Sequence, residues 1–287
     1  MPLRTMATLL RWTIGPAALA AAALAGFAPA WAAQQAGKPA LQDILQRLEA
    51  NLHHYDAAVP SLFCDEHATS SVWPGASSED TITDSVFRLR RTPEANHTTT
   101  LVESREIRTV NGKPATSQKL DGPALLYGVF EGGLAVVSLS QSACMHYELQ
   151  PVSRKKPAQP YVVRFATALT PQDSSRCILQ EPSKGRVVVD PVSMQITHLE
   201  LMTPHHVIDA GDEWSPPVLG KRVITVDYAP VPLGGETFWM PATITLQVTR
   251  GSGTFHSTVW SFQATYRDYH KMEVTSRILP GSETPVR

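Results

Sequence analysis

No pair of residues in this sequence has the C-x2-C, H-x3-5-H or H-E-x-x-H spacing that heralds a zinc site, although there are ten histidines. Nor is there a G-x-S-x-G elbow, an S-x-x-K with its companion motifs, or a glycine-rich loop to cradle a phosphate or dinucleotide. These gaps remove the signed forms of metal, acyl-transfer and nucleotide chemistry, so no metal, cofactor or catalytic residue is expected. Neither sign of charge dominates: 25 basic against 26 acidic side chains leave −1. Such a balance argues against a nucleic-acid surface and against a polybasic membrane-docking face. Beyond the N-terminus no apolar run approaches the roughly 20 residues that a membrane-spanning helix needs.

What is present begins with an address. Arg4 and Arg11 precede an apolar run from Ile14 to Phe27, and Ala30-Trp31-Ala32 follows. A positive start, a short apolar centre broken by Gly15 and Pro16, and an A-x-A site read as a secretory signal peptide over 1–32. A retained N-terminal anchor is the alternative. Cleavage after Ala32 takes away two arginines and no acid, leaving 23 basic against 26 acidic residues, and no transmembrane segment. No cysteine sits directly after the cut, which argues against a lipid-modified N-terminus. The expected location is periplasmic or extracellular.

Residues 33–38 read as a linker and 39–279 as one β-rich domain, with a disordered tail at 280–287. Leu41, Ile44, Leu45, Leu48 and Leu52 recur at spacings of three and four, which predicts an amphipathic helix over 40–55 with Pro39 at its start. From there the period changes to two. Asn111-Gly112 is a strong hairpin signal, because both central residues of a type I′ turn need positive φ. The glycine-punctuated stretch from Leu120 to Leu139 has room for a short inner helix at 130–138. Extended segments follow at 145–150, 161–167, 185–190, 194–202, 221–228, 237–249, 258–269 and 271–278. Short connectors such as Asp190-Pro191-Val192-Ser193 favour antiparallel neighbours. The fold class is therefore mainly β within α+β: a strongly curved antiparallel sheet or half-barrel meander led by a helix.

In the segment 237–249, Phe238, Met240, Ile244 and Leu246 occupy alternate positions; Trp260 and Phe262 do the same in the next. These six are the candidate ligand-lining residues, against the plainer reading that they pack on the helix. The histidine pairs His53-His54, at the helix end, and His205-His206, in a loop after Pro204, read as solvated or helix-end residues, since neighbours in sequence diverge. Phe63-Cys64-Asp65-Glu66-His67 groups reactive side chains, yet on a strand Asp65 and His67 share one face and Cys64 and Glu66 the other. A hydrolase built on His67 with Asp65 or Glu66 would need a bend there.

Three cysteines in an oxidising compartment imply one disulfide and one free thiol. Three pairings exist. Cys144 with Cys177 is favoured because a hairpin between them returns the chain to where it began, leaving Cys64 as a buried small hydrophobe or a reactive thiol.

The leading helix and the long meander, with Gly185–Pro191 turning into Met194–Leu201 and with Phe238-Trp239-Met240-Pro241 and Trp260-Ser261-Phe262 as later strands, resemble the LolA/LolB-like lipoprotein-carrier superfamily. The stretches Pro60–Glu66 and Ser104–Pro114 also resemble uncharacterised exported proteins of soil bacteria. The carrier resemblance implies an unclosed β-barrel around helices and an apolar concave face holding acyl chains. It also implies a ligand-gating arginine, for which Arg88, Arg90 and Arg164 on strands are equal candidates. The functional expectation is a non-enzymatic exported protein binding a lipid or lipoprotein ligand. The alternatives are a secreted hydrolase and a β-sandwich adhesion or scaffold module. Periodicity sets no oligomeric state.

Overall fold

The apolar stripe forms its helix. In the computed structural model, α1 runs over Leu41–Ala58 and buries Ile44, Leu45, Leu48 and Tyr55. The Asp43 carboxylate accepts the Ala40 N–H at 3.0 Å, which satisfies one of the orphan donors at the helix start. The structure describes residues 39–73, 77–93, 99–120, 125–126, 128–151, 159–168, 174–208, 218–252 and 255–273, all in the unit that starts at Pro39. The expected signal peptide, linker and tail lie outside the described residues, as does most of the strand expected at 271–278.

Among the described residues eleven strands follow: β1 (Leu62–Val72), β2 (Glu79–Pro93), β3 (Thr99–Val110), β4 (Lys113–Pro114), β5 (Met145–Leu149), β6 (Tyr161–Thr167), β7 (Lys184–Val189), β8 (Ile196–Ile208), β9 (Val218–Leu233), β10 (Glu236–Ser252) and β11 (Phe255–Lys271). They make one open antiparallel sheet in the order β4-β3-β2-β1-β11-β10-β9-β8-β7-β6-β5. A single sheet is not the two-layer packing that a sandwich requires. Neighbours in sequence pair, except β4 and β5, which lie at opposite edges, and β11 returns to lie beside β1. Register shifts interrupt several pairs, at Pro241/Thr243 between β10 and β9 and at Thr203/His206 between β8 and β9 among others. Each such irregularity adds local bend and twist, which lets a sheet of this width curl.

β4 and β5 lie at opposite edges, so the chain between them must cross the sheet. It does so on the inner face through α2 (Val129–Gly132) and two 3₁₀ turns, Gly133–Val137 and Leu139–Gln141. The expected inner helix at 130–138 is thus one short α-turn followed by 3₁₀ turns; Gly132-Gly133 weakens a longer α-helix. Phe130 stacks on Phe87 at 4.2 Å and meets the Tyr266 ring edge at 5.0 Å. Together α1, this crossing segment and the inner residues of the strands form one hydrophobic core. Asn111 and Gly112 take φ of 50° and 74° at the β3–β4 turn, as the hairpin signal requires.

Candidate inner-face cavity

Alternation places Leu199 and Leu201 of β8, Ile224 and Val226 of β9, Leu246 of β10 and Trp260 of β11 on the inner face of the sheet. They floor an apolar cavity of about 320 Å³. Its roof is Leu126, Val129 and Val136 of the crossing segment, and Ile178 and Leu179 close one side. The volume sits at the lower end of the roughly 300–1,000 Å³ typical of small-molecule pockets. Trp260 is held in place by its indole N–H, which donates to Ser70 Oγ at 3.0 Å.

Polar residues occupy one rim. The β8 irregularity between Thr203 and His206 returns His206 to the inner face, opposite Gly220 of β9. A Cβ on Gly220 would stand 2.4 Å from Ile208 Cδ1 and 2.5 Å from the Thr249 carbonyl, so only glycine lets the strands meet there. Glu181 accepts from the Val207 N–H at 3.1 Å, from His206 Nδ1 at 2.9 Å and from Arg222 Nη2 at 3.0 Å. Burial works to raise the Glu181 carboxyl, but the two hydrogen bonds from Val207 and His206 and the charges of His206 and Arg222 outweigh it and hold the group below its ordinary value. Arg222 Nη2 also reaches Thr203 Oγ1 at 3.5 Å, whereas Nη1 and Nε make no hydrogen bond among the described residues.

At the opposite end a buried ionic network pins the roof. Glu66 of β1 is 1% exposed. It accepts from Arg105 Nε at 2.6 Å, from Arg105 Nη2 at 2.9 Å and from the Tyr266 hydroxyl at 2.7 Å. Arg105 of β3 also donates to the Leu126 carbonyl at 2.7 Å and lies 5.0 Å over the Phe87 ring. Glu103, two residues earlier on the same face, accepts the N–H groups of Gly128 and Phe130 at 3.0 and 2.9 Å. Burial opposes the charge on Arg105, but the Glu66 carboxylate more than offsets it. Burial and the same carboxylate push the Tyr266 hydroxyl up.

Of the six candidate lining residues, Leu246 and Trp260 line this cavity. Phe238 stacks against His54 under α1 at 5.8 Å, and Met240, Ile244 and Phe262 are buried in the core. Sequence reasoning did not bring together Glu181, His206 and Arg222, nor Glu66, Arg105 and Glu103. His206 is not in a loop: it lies within β8 and faces inward. Leu101, Glu103, Arg105 and Ile107 alternate, and the apolar ends of that series were the available sign that the charged residues between them face in. Arg88 pairs with Glu106, and Arg90 and Arg164 are exposed, so no residue of that trio takes the place that Arg105 holds.

The Phe63–His67 stretch divides as alternation demands: Cys64 and Glu66 are buried, Asp65 and His67 exposed. His67 Nδ1 bonds Asp84 at 2.7 Å, not Asp65 or Glu66, so the hydrolase constellation is not assembled. Cys144 and Cys177 form a disulfide, while Cys64 is free and fully buried, and burial pushes its thiol up. Among the described residues no three His, Cys, Asp or Glu side chains are placed to hold a metal ion. Among those residues, too, no helix is long and apolar enough to cross a membrane.

No protein-family model and no curated protein matches the chain. It is weakly similar to solved structures. A LolA superfamily protein from Nitrosomonas europaea is 10% identical, with a TM-score of 0.33, over 80% of this chain and 94% of that one. A DUF1329 family protein from Desulfovibrio piger is 9% identical, with a TM-score of 0.35, over 81% of this chain and 93% of that one.

Proposed function

We propose that this protein is an exported, non-catalytic carrier that holds the apolar chain of a lipid or lipidated partner in the inner-face cavity. The observation that carries this reading is the cavity of about 320 Å³, walled by aliphatic side chains and Trp260 and roofed by a segment tied down at Leu126, Gly128 and Phe130. Liquid water takes roughly 30 Å³ per molecule and a methylene is of similar size, so the space suits one chain of on the order of ten carbons. Burying each of those methylenes contributes about 0.8 kcal/mol, which gives an apolar chain a reason to enter. Export is supported by the signal-like N-terminus and by the Cys144–Cys177 bridge, which suits an oxidising compartment.

The test is binding of N-phenyl-1-naphthylamine, a neutral probe whose emission rises in apolar surroundings. The wild-type protein should bind it saturably. Ile224→Trp, which fills the floor of the cavity, should weaken binding at least tenfold while the protein stays folded by circular dichroism. A wild-type protein that gives no emission rise, and no lipid adduct in native mass spectrometry after purification from its own periplasm, sinks the reading.

A further inference from the structure

The rim opposite the pinned end of the roof is polar, although the cavity itself is apolar. Arg222 and His206 both belong to the lining, and their shared carboxylate partner, Glu181, uses a single guanidinium nitrogen. Arg222 therefore retains Nη1 and Nε N–H groups with no hydrogen bond among the described residues, on a side chain only 27% exposed. A guanidinium is a planar fork of donors that suits a carboxylate, and the Nε N–H, buried without a partner among the described residues, loses hydration without recompense. The inner-face neighbours across the strands are Thr203 on β8 and Val248 on β10, neither charged. Glu181 is thus the only carboxylate in contact with this pair of bases among the described residues.

Resting on the carrier reading, we infer that the occupant is a single-chain fatty acid whose carboxylate sits at Arg222, beside His206, and whose tail runs over Ile224 and Val226 under the roof. One chain fits because the volume admits on the order of ten methylenes. An anionic head fits because, among the described residues, the polar rim presents N–H donors of Arg222 without a hydrogen bond and its one carboxylate, Glu181, is already paired. Glu181 keeps the guanidinium turned to the mouth when no ligand is bound, and it competes with the incoming carboxylate.

The experiment is displacement of N-phenyl-1-naphthylamine by decanoate, decan-1-ol and decyl phosphate. On the wild-type protein decanoate should displace the probe at about tenfold lower concentration than decan-1-ol, the ratio that one charge-assisted contact of roughly 1.4 kcal/mol produces. The decanoate-to-decanol ratio should collapse towards one in Arg222→Gln, be partly restored in Arg222→Lys, and increase in Glu181→Gln, where the competing carboxylate is gone. Because the ratio is taken within each variant, a general change in cavity affinity cancels. An equal ratio in wild type and Arg222→Gln overturns the fatty-acid assignment and leaves the carrier reading standing. Decyl phosphate outcompeting decanoate also overturns it, in favour of a phosphate head. Absence of probe binding by the wild-type protein overturns the carrier reading and this inference with it.

Discussion

Arg105 and Glu66 decide whether the roof of the cavity has anything firm to hang from. Their bidentate pair has an arginine side chain 2% exposed and a glutamate side chain with no exposure, so each ion depends on the other for what water would have supplied. Arg105→Ala leaves the Glu66 charge buried with the Tyr266 hydroxyl as its one remaining hydrogen-bond donor among the described residues, and should destabilise the protein by about 3–5 kcal/mol. Urea unfolding checks this: the midpoint should fall while the slope stays constant, since the same surface is exposed on unfolding. Replacing the pair together with apolar residues should be far milder, because no buried charge is then stranded. Glu181 makes a pH prediction of definite sign. Its folded carboxyl titrates below the unfolded value, so on acidification the unfolded chain takes up the proton first. The stabilisation is complete above the unfolded value of about 4.3 and is lost as pH falls through the lowered folded value. Thermal melts taken downward from neutral pH should show a shallower acid loss in Glu181→Gln than in wild type.

Among the elements, β3 shows how an edge is managed. β4 covers only its last two residues, so an exposed row of backbone groups would remain beyond Thr109. The Gln118 side chain takes over there: its amide oxygen accepts the Ile107 N–H at 2.7 Å and its NH₂ donates to the Ile107 carbonyl at 2.9 Å. One side chain thus imitates a neighbouring strand residue, two positions from Arg105. Gln118→Ala should lower stability by about 1–3 kcal/mol for two hydrogen bonds and speed hydrogen exchange at the Ile107 amide relative to the paired interior of β2. Most elements were legible because their periods are long. The stripe of α1 and the alternation in β10 each repeat often enough to name the element and its buried face. β3 was harder, since Thr99–Val110 is largely polar and its inward charges are stabilised only by partners on β1 and the crossing segment. The His205-His206 pair misled for a similar reason: Pro204 reads as a loop, yet a β-bulge absorbs it and β8 continues.

For the molecule as a whole, the Cys144–Cys177 bridge joins the start of edge strand β5 to the segment that carries Ile178, Leu179 and Glu181, which is a wall and the rim of the cavity. It closes a sequence separation of 33 residues, for which the chain-entropy estimate is on the order of 3–4 kcal/mol. Cys144→Ser with Cys177→Ser should therefore lower the unfolding free energy by about that amount, read by chemical denaturation, with Cys64 still refractory to alkylation in the native protein because it is fully buried.

The order of hydrophobic and polar residues by itself settled the helix, the strand periods, the turn at Asn111-Gly112 and the division of Phe63–His67 between two faces, since each is a relation among near neighbours in the chain. The return of β11 to β1, the crossing of residues 129–141 over the inner face, and the meeting of Glu181 with His206 and Arg222 were decided only by tertiary structure. Glu66 and Tyr266 are 200 residues apart and share a hydrogen bond because two strands pair in one register among many that local propensity allows. A cavity is likewise what packing leaves unfilled between distant segments, so no local pattern contains it.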